Sequence, residues 1–177
     1  MKAGKDYVVQ FASLSLGEHE YQFKIGDKFF ENLDYSEIKQ GDLTVDLKLL
    51  KQSTMMILES EISGTVKVNC DVCTEALDLP IHGNYRLIVK VGGHETGDED
   101  DDIITIAANE HQLDLRQYFY EYITLLVPIR RVHPEDENGN STCDMTTVNK
   151  LKNYLTDREP QDPIDPRWID LKNIKLN

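Results

Sequence analysis

The sequence predicts an α+β fold: an antiparallel β-sheet of about six strands with a long hairpin, one main crossing helix and a C-terminal helical segment. Three observations lead there. Met56, Leu58, Ile62, Gly64, Val66, Val68 and Cys70 share one register, with Glu59, Glu61, Thr65, Lys67 and Asn69 in the other. Leu77, Leu79, Ile81, Tyr85, Leu87, Val89 and Val91 repeat the pattern, with Asp78, His82, Asn84, Arg86 and Lys90 opposite. Two period-2 runs of this regularity describe half-buried strands, so the segment Cys70–Glu75 between them must turn. The third observation is a period near 3.6 in Leu115, Tyr118, Phe119, Tyr122, Ile123 and Leu126, closed by Pro128.

The other elements follow in order. Tyr7–Leu16 is β-prone and reads as a strand. Glu18–Ile25 alternates cleanly, and Leu16-Gly17-Glu18 suits a hairpin link between the two. In Gly26–Gln40, Phe29, Phe30 and Leu33 suit a short helical turn or a loop capping the core, and the phenylalanines read as core. Leu43, Val45, Leu47 and Leu49 alternate with Thr44, Asp46 and Lys48 as a further strand. Gly92-Gly93 ends the hairpin. Glu95–Asp102 then carries six acids in eight residues, a self-repelling run that reads as a flexible loop over 93–102. It lacks the Gly and Glu spacing of an EF-hand. Ile103–Ile106 is a short strand. Asp114 with Gln117 three residues on has the form of a capping box for the main helix. Ser141 or Thr142 suits the cap of a helix from Asp144 to about Leu155, with Met145, Val148, Leu151 and Leu155 on one side. After a Pro-containing linker, Asp165-Pro166-Arg167-Trp168 reads as a cap with Pro at the first helical position. Trp168, Leu171 and Ile174 would dock that short terminal helix, completing a tail over 144–177. With 177 residues and no internal repeat, the chain reads as a single domain, 1–177.

Composition excludes several functions. No run of 18 apolar residues exists, so no membrane partner is expected, and the N-terminus lacks the apolar core of a signal peptide. Three cysteines make no disulfide framework, which points to a reducing, cytoplasmic setting. The net charge is −13. Residues 1–115 hold 10 Lys/Arg against 22 Asp/Glu, net −12, and residues 116–177 hold 9 against 10, net −1. Such a surface repels phosphate backbones and favours basic partners; no groove for DNA or bare nucleic acid is visible. Any RNA contact should come from the C-terminal third, through Arg130, Arg131, Lys150, Lys152 or Arg167, although Arg130-Arg131 also suits a role balancing nearby acids. No phosphate-loop, dinucleotide, nucleophile-elbow or HExxH motif is present, so the chain reads as no enzyme.

The chemistry-bearing motif is Cys70-Asp-Val-Cys73 on the hairpin tip. A redox C-x-x-C wants a helix N-terminus to stabilise its thiolate, whereas a strand follows Cys73 here and Asp71, Glu75 and Asp78 surround it. A turn presenting two sulfurs is half of a structural zinc site. Cys70, Cys73, His133 and Cys143 together make a Cys3His set suited to Zn2+, though His133-x9-Cys143 is wider than a usual knuckle. The alternative is three reduced thiols serving packing, with His133 at the surface. A thiol-dependent enzyme using His133 is a third reading.

In order and spacing these pieces resemble the YceD family, bacterial proteins associated with accumulation of the large-subunit (23S) ribosomal RNA. The resemblance is carried by Gly64–Cys73, Asp114-Leu through Leu126-Val-Pro128, His133 to Cys143, and Asp165-Pro-Arg-Trp168 through Leu171. It implies a non-enzymatic ribosome-biogenesis factor acting in the cytoplasm, whose partner is a large-subunit precursor or a basic ribosomal protein, with 23S ribosomal RNA met directly or indirectly. Arg130, Arg131, Arg167 and Trp168 are the expected partner or RNA contacts. Many relatives carry a second cysteine pair near the C-terminus; this chain has Cys143 alone there, so His133 is the substitute ligand. A zinc-stabilised interaction module unrelated to ribosomes is the competing expectation.

Overall fold

The computed structural model describes residues 2–3 (backbone only), 7–33, 35–92 and 102–154. The strands are β1 (Lys2–Ala3), β2 (Val8–Val9), β3 (Gly17–Ile25), β4 (Gln40–Lys51), β5 (Met55–Asn69), β6 (Ala76–Val91), β7 (Ile103–Ile106) and β8 (Leu113–Asp114). The helices are α1 (Asp27–Glu31), α2 (Arg116–Leu126) and α3 (Met145–Tyr154). The fold is α+β. Its main sheet has the order β1-β3-β4-β5-β6-β7, five strands of four residues or more with two-residue β1 on one edge; β2 and β8 form a separate two-stranded ribbon.

Strands β3 to β6 are an antiparallel meander, with Val45 opposite Phe23 and Ile62, and Leu58 opposite Leu87. The two outer pairings differ from the expected all-antiparallel sheet. β1 runs parallel to β3, and β7 runs parallel to β6 with Ile103 beside Ile88. The sheet is therefore mixed. The β5–β6 hairpin forms as its alternation requires: all 15 residues of β5 pair with β6, from Met55↔Lys90 to Asn69↔Ala76. At about 3.3 Å per residue, β5 extends roughly 50 Å, so the hairpin tip stands far from the strand's other end.

One face of the sheet carries the core. Val45, Leu47, Leu49, Met56, Leu58, Ile62, Leu87 and Val89 are buried there. Ser60 is the one polar residue in that register of β5 and is buried too. The core is closed by α1, which contributes Phe29 and Phe30, and by α2, whose Leu115, Phe119 and Ile123 lie one turn apart and are all but inaccessible. Phe119 packs against Phe23 at 5.3 Å between ring centroids, and Tyr122 stacks flat on Tyr85 at 4.3 Å. Glycine lets α2 approach: a Cβ at Gly83 would lie 2.3 Å from Leu126 Cδ2. Gly64 adopts φ +145°, and its Cα passes so close to β4 that a Cβ would meet the Asp42 carbonyl oxygen at 2.2 Å.

Several local expectations need correction. Tyr7–Leu16 is not one strand: only Val8–Val9 pair, with β8, and Phe11–Ser13 turns in a 3-10 helix that drops Phe11 into the core. No hairpin joins this stretch to β3, whose partners are β1 and β4. The capping box before α2 does not form. Asp114 is in β8 and accepts the Arg116 N–H, while Gln117 accepts from the Tyr35 hydroxyl and donates to Glu121. Asp144, not Ser141 or Thr142, caps α3 by accepting the N–H groups of Thr146 and Thr147. The acidic run up to Asp101, and the tail from Leu155 with Arg167 and Trp168, lie outside the described residues.

Candidate metal centre

The hairpin tip is a tight turn in which Cys70 N–H donates to the Glu75 carbonyl and Thr74 N–H to the Cys70 carbonyl, with Thr74 at φ 63°. This geometry turns both Cys70 and Cys73 sulfurs inward, where the residues are 1% and 0% exposed. The segment after α2 is pinned beside them. Asp71 N–H donates to the Arg131 carbonyl, and the Asp71 carboxylate accepts the Arg131 N–H at 2.7 Å and its guanidinium at 3.1 Å. These bonds hold the Asp71 carboxyl below its usual range. They also deliver His133, two residues on, to the cluster.

The wide His133–Cys143 spacing is taken up by a compact loop. Glu135 and Ser141 form an antiparallel bridge, and Thr142 Oγ1 donates to the Pro134 carbonyl at 2.6 Å. Asp136 accepts the N–H groups of Asn138 and Asn140, and Gly139 turns at φ 78°. The loop thereby returns Cys143 to its starting point. Val148, one turn into α3, packs against the three cysteines together with Val72 and Val132.

The four donor atoms of Cys70, Cys73, His133 and Cys143 lie within 4.8 Å of one another. Cys70 Sγ is 3.7 Å from Cys143 Sγ, and His133 Nδ1 is 3.4 Å from Cys73 Sγ and 3.8 Å from Cys143 Sγ. A tetrahedron around Zn2+, with metal–sulfur bonds near 2.3 Å and metal–nitrogen bonds near 2.05 Å, has edges of about 3.8 Å between sulfurs and about 3.5 Å from sulfur to nitrogen. These three separations match such edges, and the remaining ones reach no further than 4.8 Å. They do not fit a disulfide, whose sulfurs sit at about 2.05 Å, and all three cysteines are free.

The surroundings suit metal ligation. His133 Nε2 is 3.2 Å from the Ala76 carbonyl. Donation to that oxygen puts the proton on Nε2 and leaves the Nδ1 lone pair facing the sulfurs, the usual outer support of a ligating histidine. Burial raises the Cys70 thiol, but the backbone N–H groups of Cys73 and Val72 and the neighbouring His133 outweigh it and bring the thiol down to about 6. Burial pushes Cys73 up, and the Cys143 and Cys70 sulfurs raise His133 by holding its proton. A thiol lowered this far also suits a nucleophile, but sulfurs on residues 0–4% exposed are closed to a substrate.

The structure thus brings together all four of the expected ligands. It does not group the expected contact residues with them in one way: Arg131 is engaged by Asp71 and Glu37, while Arg130 is exposed. What the sequence missed is Asp71 as the clasp for the Arg131 backbone, and the carbonyl of Ala76 as the second partner of His133. Asp71 was legible only as an acid beside a thiol.

Among the described residues, no helix is long and apolar enough to cross a membrane. No curated protein and no solved structure matches the chain. The family model described as large ribosomal RNA subunit accumulation protein YceD matches residues 58–175, a span that contains all but the first three residues of the hairpin, all four clustered donors and the Asp165–Trp168 motif. That span is well over half of the chain, and the chain belongs to the YceD family.

Proposed function

We propose that the chain is a non-enzymatic, cytoplasmic ribosome-biogenesis factor that supports accumulation of the 23S RNA of the large subunit, built as a protein-binding module whose tip is held by a structural Zn2+. One observation carries the reading: the four donors, clustered within 4.8 Å of one another, all fall inside the span the family model matches. Zn2+ at Cys70, Cys73, His133 and Cys143 would supply cross-linking, not catalysis. It would tie the β5–β6 tip to the segment after α2 and to the start of α3, none of which has a large core of its own.

Charge argues for the partner. Along the outward face of the sheet, Glu20, Lys48, Glu59 and Arg86 are register neighbours on successive strands, so opposite charges meet in a row. That row is internally compensated. Much of the excess acid is in the Glu95–Asp102 run instead. A run of this kind engages a basic ribosomal protein, or the protein-coated surface of a precursor particle, more readily than naked RNA. Among the described residues, Arg130, Lys150 and Lys152 are exposed cations available for any RNA contact.

Sedimentation of the tagged chain through sucrose gradients of cell lysate, at low and moderate salt, tests the proposal. The wild-type chain should travel with large-subunit precursors. Neutralising Asp98, Glu99, Asp100 and Asp101 to Asn or Gln should remove it from them, while Arg130→Ala should not. A chain that stays at the top of the gradient at both salt concentrations refutes the biogenesis role, and sensitivity to Arg130→Ala alone refutes the protein-partner mechanism.

A further inference from the structure

Strands β4 to β7 carry a second apolar feature, on the face turned away from the core. In register, Leu50 lies opposite Ile57, Ile57 opposite Ile88, and Ile88 beside Ile103, so four aliphatic side chains form one row across four strands. None of the four joins the buried core, and each is partly open to solvent. Their neighbours Glu59, Glu61, Asn84, Arg86 and Lys90 are exposed, whereas α1 and α2 both close the opposite face. The outward side of an antiparallel sheet is ordinarily polar, and an aliphatic row across it marks a contact surface. One step along the strands, Glu59 lies opposite Arg86. Among the described residues neither of these side chains is in an ion pair, so both charges are open to a partner.

We infer that this face binds a second copy of the chain, sheet against sheet, about a two-fold axis running along the β5–β6 hairpin between its two strands. Such an axis lays each β5 residue over the β6 residue that it already pairs with in its own chain. Strand register therefore fixes the contacts. Ile57 falls over Ile88 of the second copy, Glu59 over Arg86, Met55 over Lys90 and Glu61 over Asn84. β4 and β7 exchange in the same way, which puts Leu50 over Ile103. Every contact occurs twice, and no like charges meet across the hairpin in these rows. An axis one strand over, between β4 and β5, would set Asp46 over Glu61, acid on acid. Stacked sheets lie about 10 Å apart and cross at about 30°, so the match holds near the crossing and is lost further along the strands. The rows from Met55 to Glu61 form that crossing. Four strands at about 4.8 Å and about eight residues at about 3.3 Å give a patch of roughly 500 Å² per chain. An area near the lower limit for specific interfaces makes the dimer reversible and dependent on concentration. Two chains of net −13 repel at long range, but at about 0.15 M salt the Debye length is about 8 Å, which screens that repulsion more than the contact pairs. Neither the metal centre nor the ribosomal role enters this geometry.

Sedimentation equilibrium of the full chain at physiological salt, from low micromolar to several hundred micromolar, tests it. The weight-average mass should rise from 20.3 kDa toward twice that value. Glu59→Arg sets like charges against Arg86 at two places, and Arg86→Glu does the same against Glu59, so each should raise the dissociation constant at least about tenfold. Both residues are exposed, and each variant should keep the circular dichroism spectrum of the wild type. Mixed in equal amounts, the two variants should pair with each other. The introduced base of one then faces the introduced acid of the other, and the native Arg86 of the first faces the native Glu59 of the second. Glu110→Arg, an equal change of charge at an exposed position outside the strands, should leave association unchanged. A wild-type chain that stays at 20.3 kDa throughout overturns the inference. So does a dimer that ignores both Glu59→Arg and Arg86→Glu, which would place the contact elsewhere. Two dissociated variants that fail to pair when mixed overturn the two-fold geometry.

Discussion

Replacing Cys73 by serine removes one corner of the tetrahedron while leaving its shape almost unchanged. A serine hydroxyl stays protonated at neutral pH and does not replace a thiolate ligand. Three donors remain, and Cys73 is among the closest to the imidazole, 3.4 Å from His133 Nδ1. The expected magnitude follows from linkage. A ligand that binds only the folded state stabilises it by about 4 kcal/mol when its free concentration is about a thousand times its dissociation constant. For a chain of this size 1 kcal/mol corresponds to about 2–4 °C in melting temperature, so loss of the metal should lower Tm by about 8–16 °C. The damage should be local in structure. The main core of sheet, α1 and α2 shares no buried residue with the cysteine cluster, so the β-sheet circular dichroism should survive while the 128–144 segment becomes sensitive to protease. The assay is metal analysis of the purified protein, with melts before and after a strong chelator. Wild type should hold one Zn2+ per chain and lose stability on chelation, and Cys73→Ser should start from the lower Tm and ignore the chelator. A wild-type chain with no bound zinc and no Tm response to added zinc refutes the reasoning, as does a serine variant that keeps a full complement.

Other substitutions test the fold that carries the site. Gly64→Ala should cost about 3 kcal/mol, combining a disfavoured positive φ with overpacking against β4, and lower Tm by about 6–12 °C; an unchanged Tm would mean the strands are not so close. Asp71→Ala should free the Arg131 backbone and weaken zinc retention in a chelator competition without touching a ligand; retention equal to wild type would remove Asp71 from the clasp. Tyr122 is pushed up to about 12, first by burial and then by Asp102 and other neighbours. The raised folded value means its neutral form contributes stability below the unfolded value near 10, and that contribution is lost as pH rises from about 10 to 12. A spectrophotometric titration should therefore find a late-ionising component that loses one tyrosine in Tyr122→Phe, and no such loss would contradict the stacked Tyr85–Tyr122 pair.

Much of this architecture is written in local sequence. The β5–β6 hairpin was legible because alternation decides which side chains go inward, and burial rewards that choice along all 15 residues of β5. Leu115, Phe119 and Ile123 announced α2 for the same reason at helical spacing, and Pro128 marked its end. The C-x-x-C had to sit on the tip because two strands needed a turn between them. The family resemblance rested on these same local motifs, which is why it held over the matched span.

Other features needed the whole chain. Alternation says nothing of strand direction, so the parallel pairing of Ile103 with Ile88 was decided by the contacts β7 makes with β6. Tyr7–Leu16 had strand propensity, but a core position for Phe11 was worth more than extending a two-residue ribbon. Asp114 had a capping sequence, yet pairing with Val8 placed it in a strand. The metal centre shows the division most clearly. Its four residue types could be picked from the sequence, but ligation requires donors within a few ångströms of one another. Closing 60 residues between Cys73 and His133 was decided by long-range contacts: the sheet, α2 and the Asp71–Arg131 clasp. Sequence determined which atoms were available as ligands; only tertiary structure decided that they meet, because meeting is a property of packing between segments and not of any segment alone.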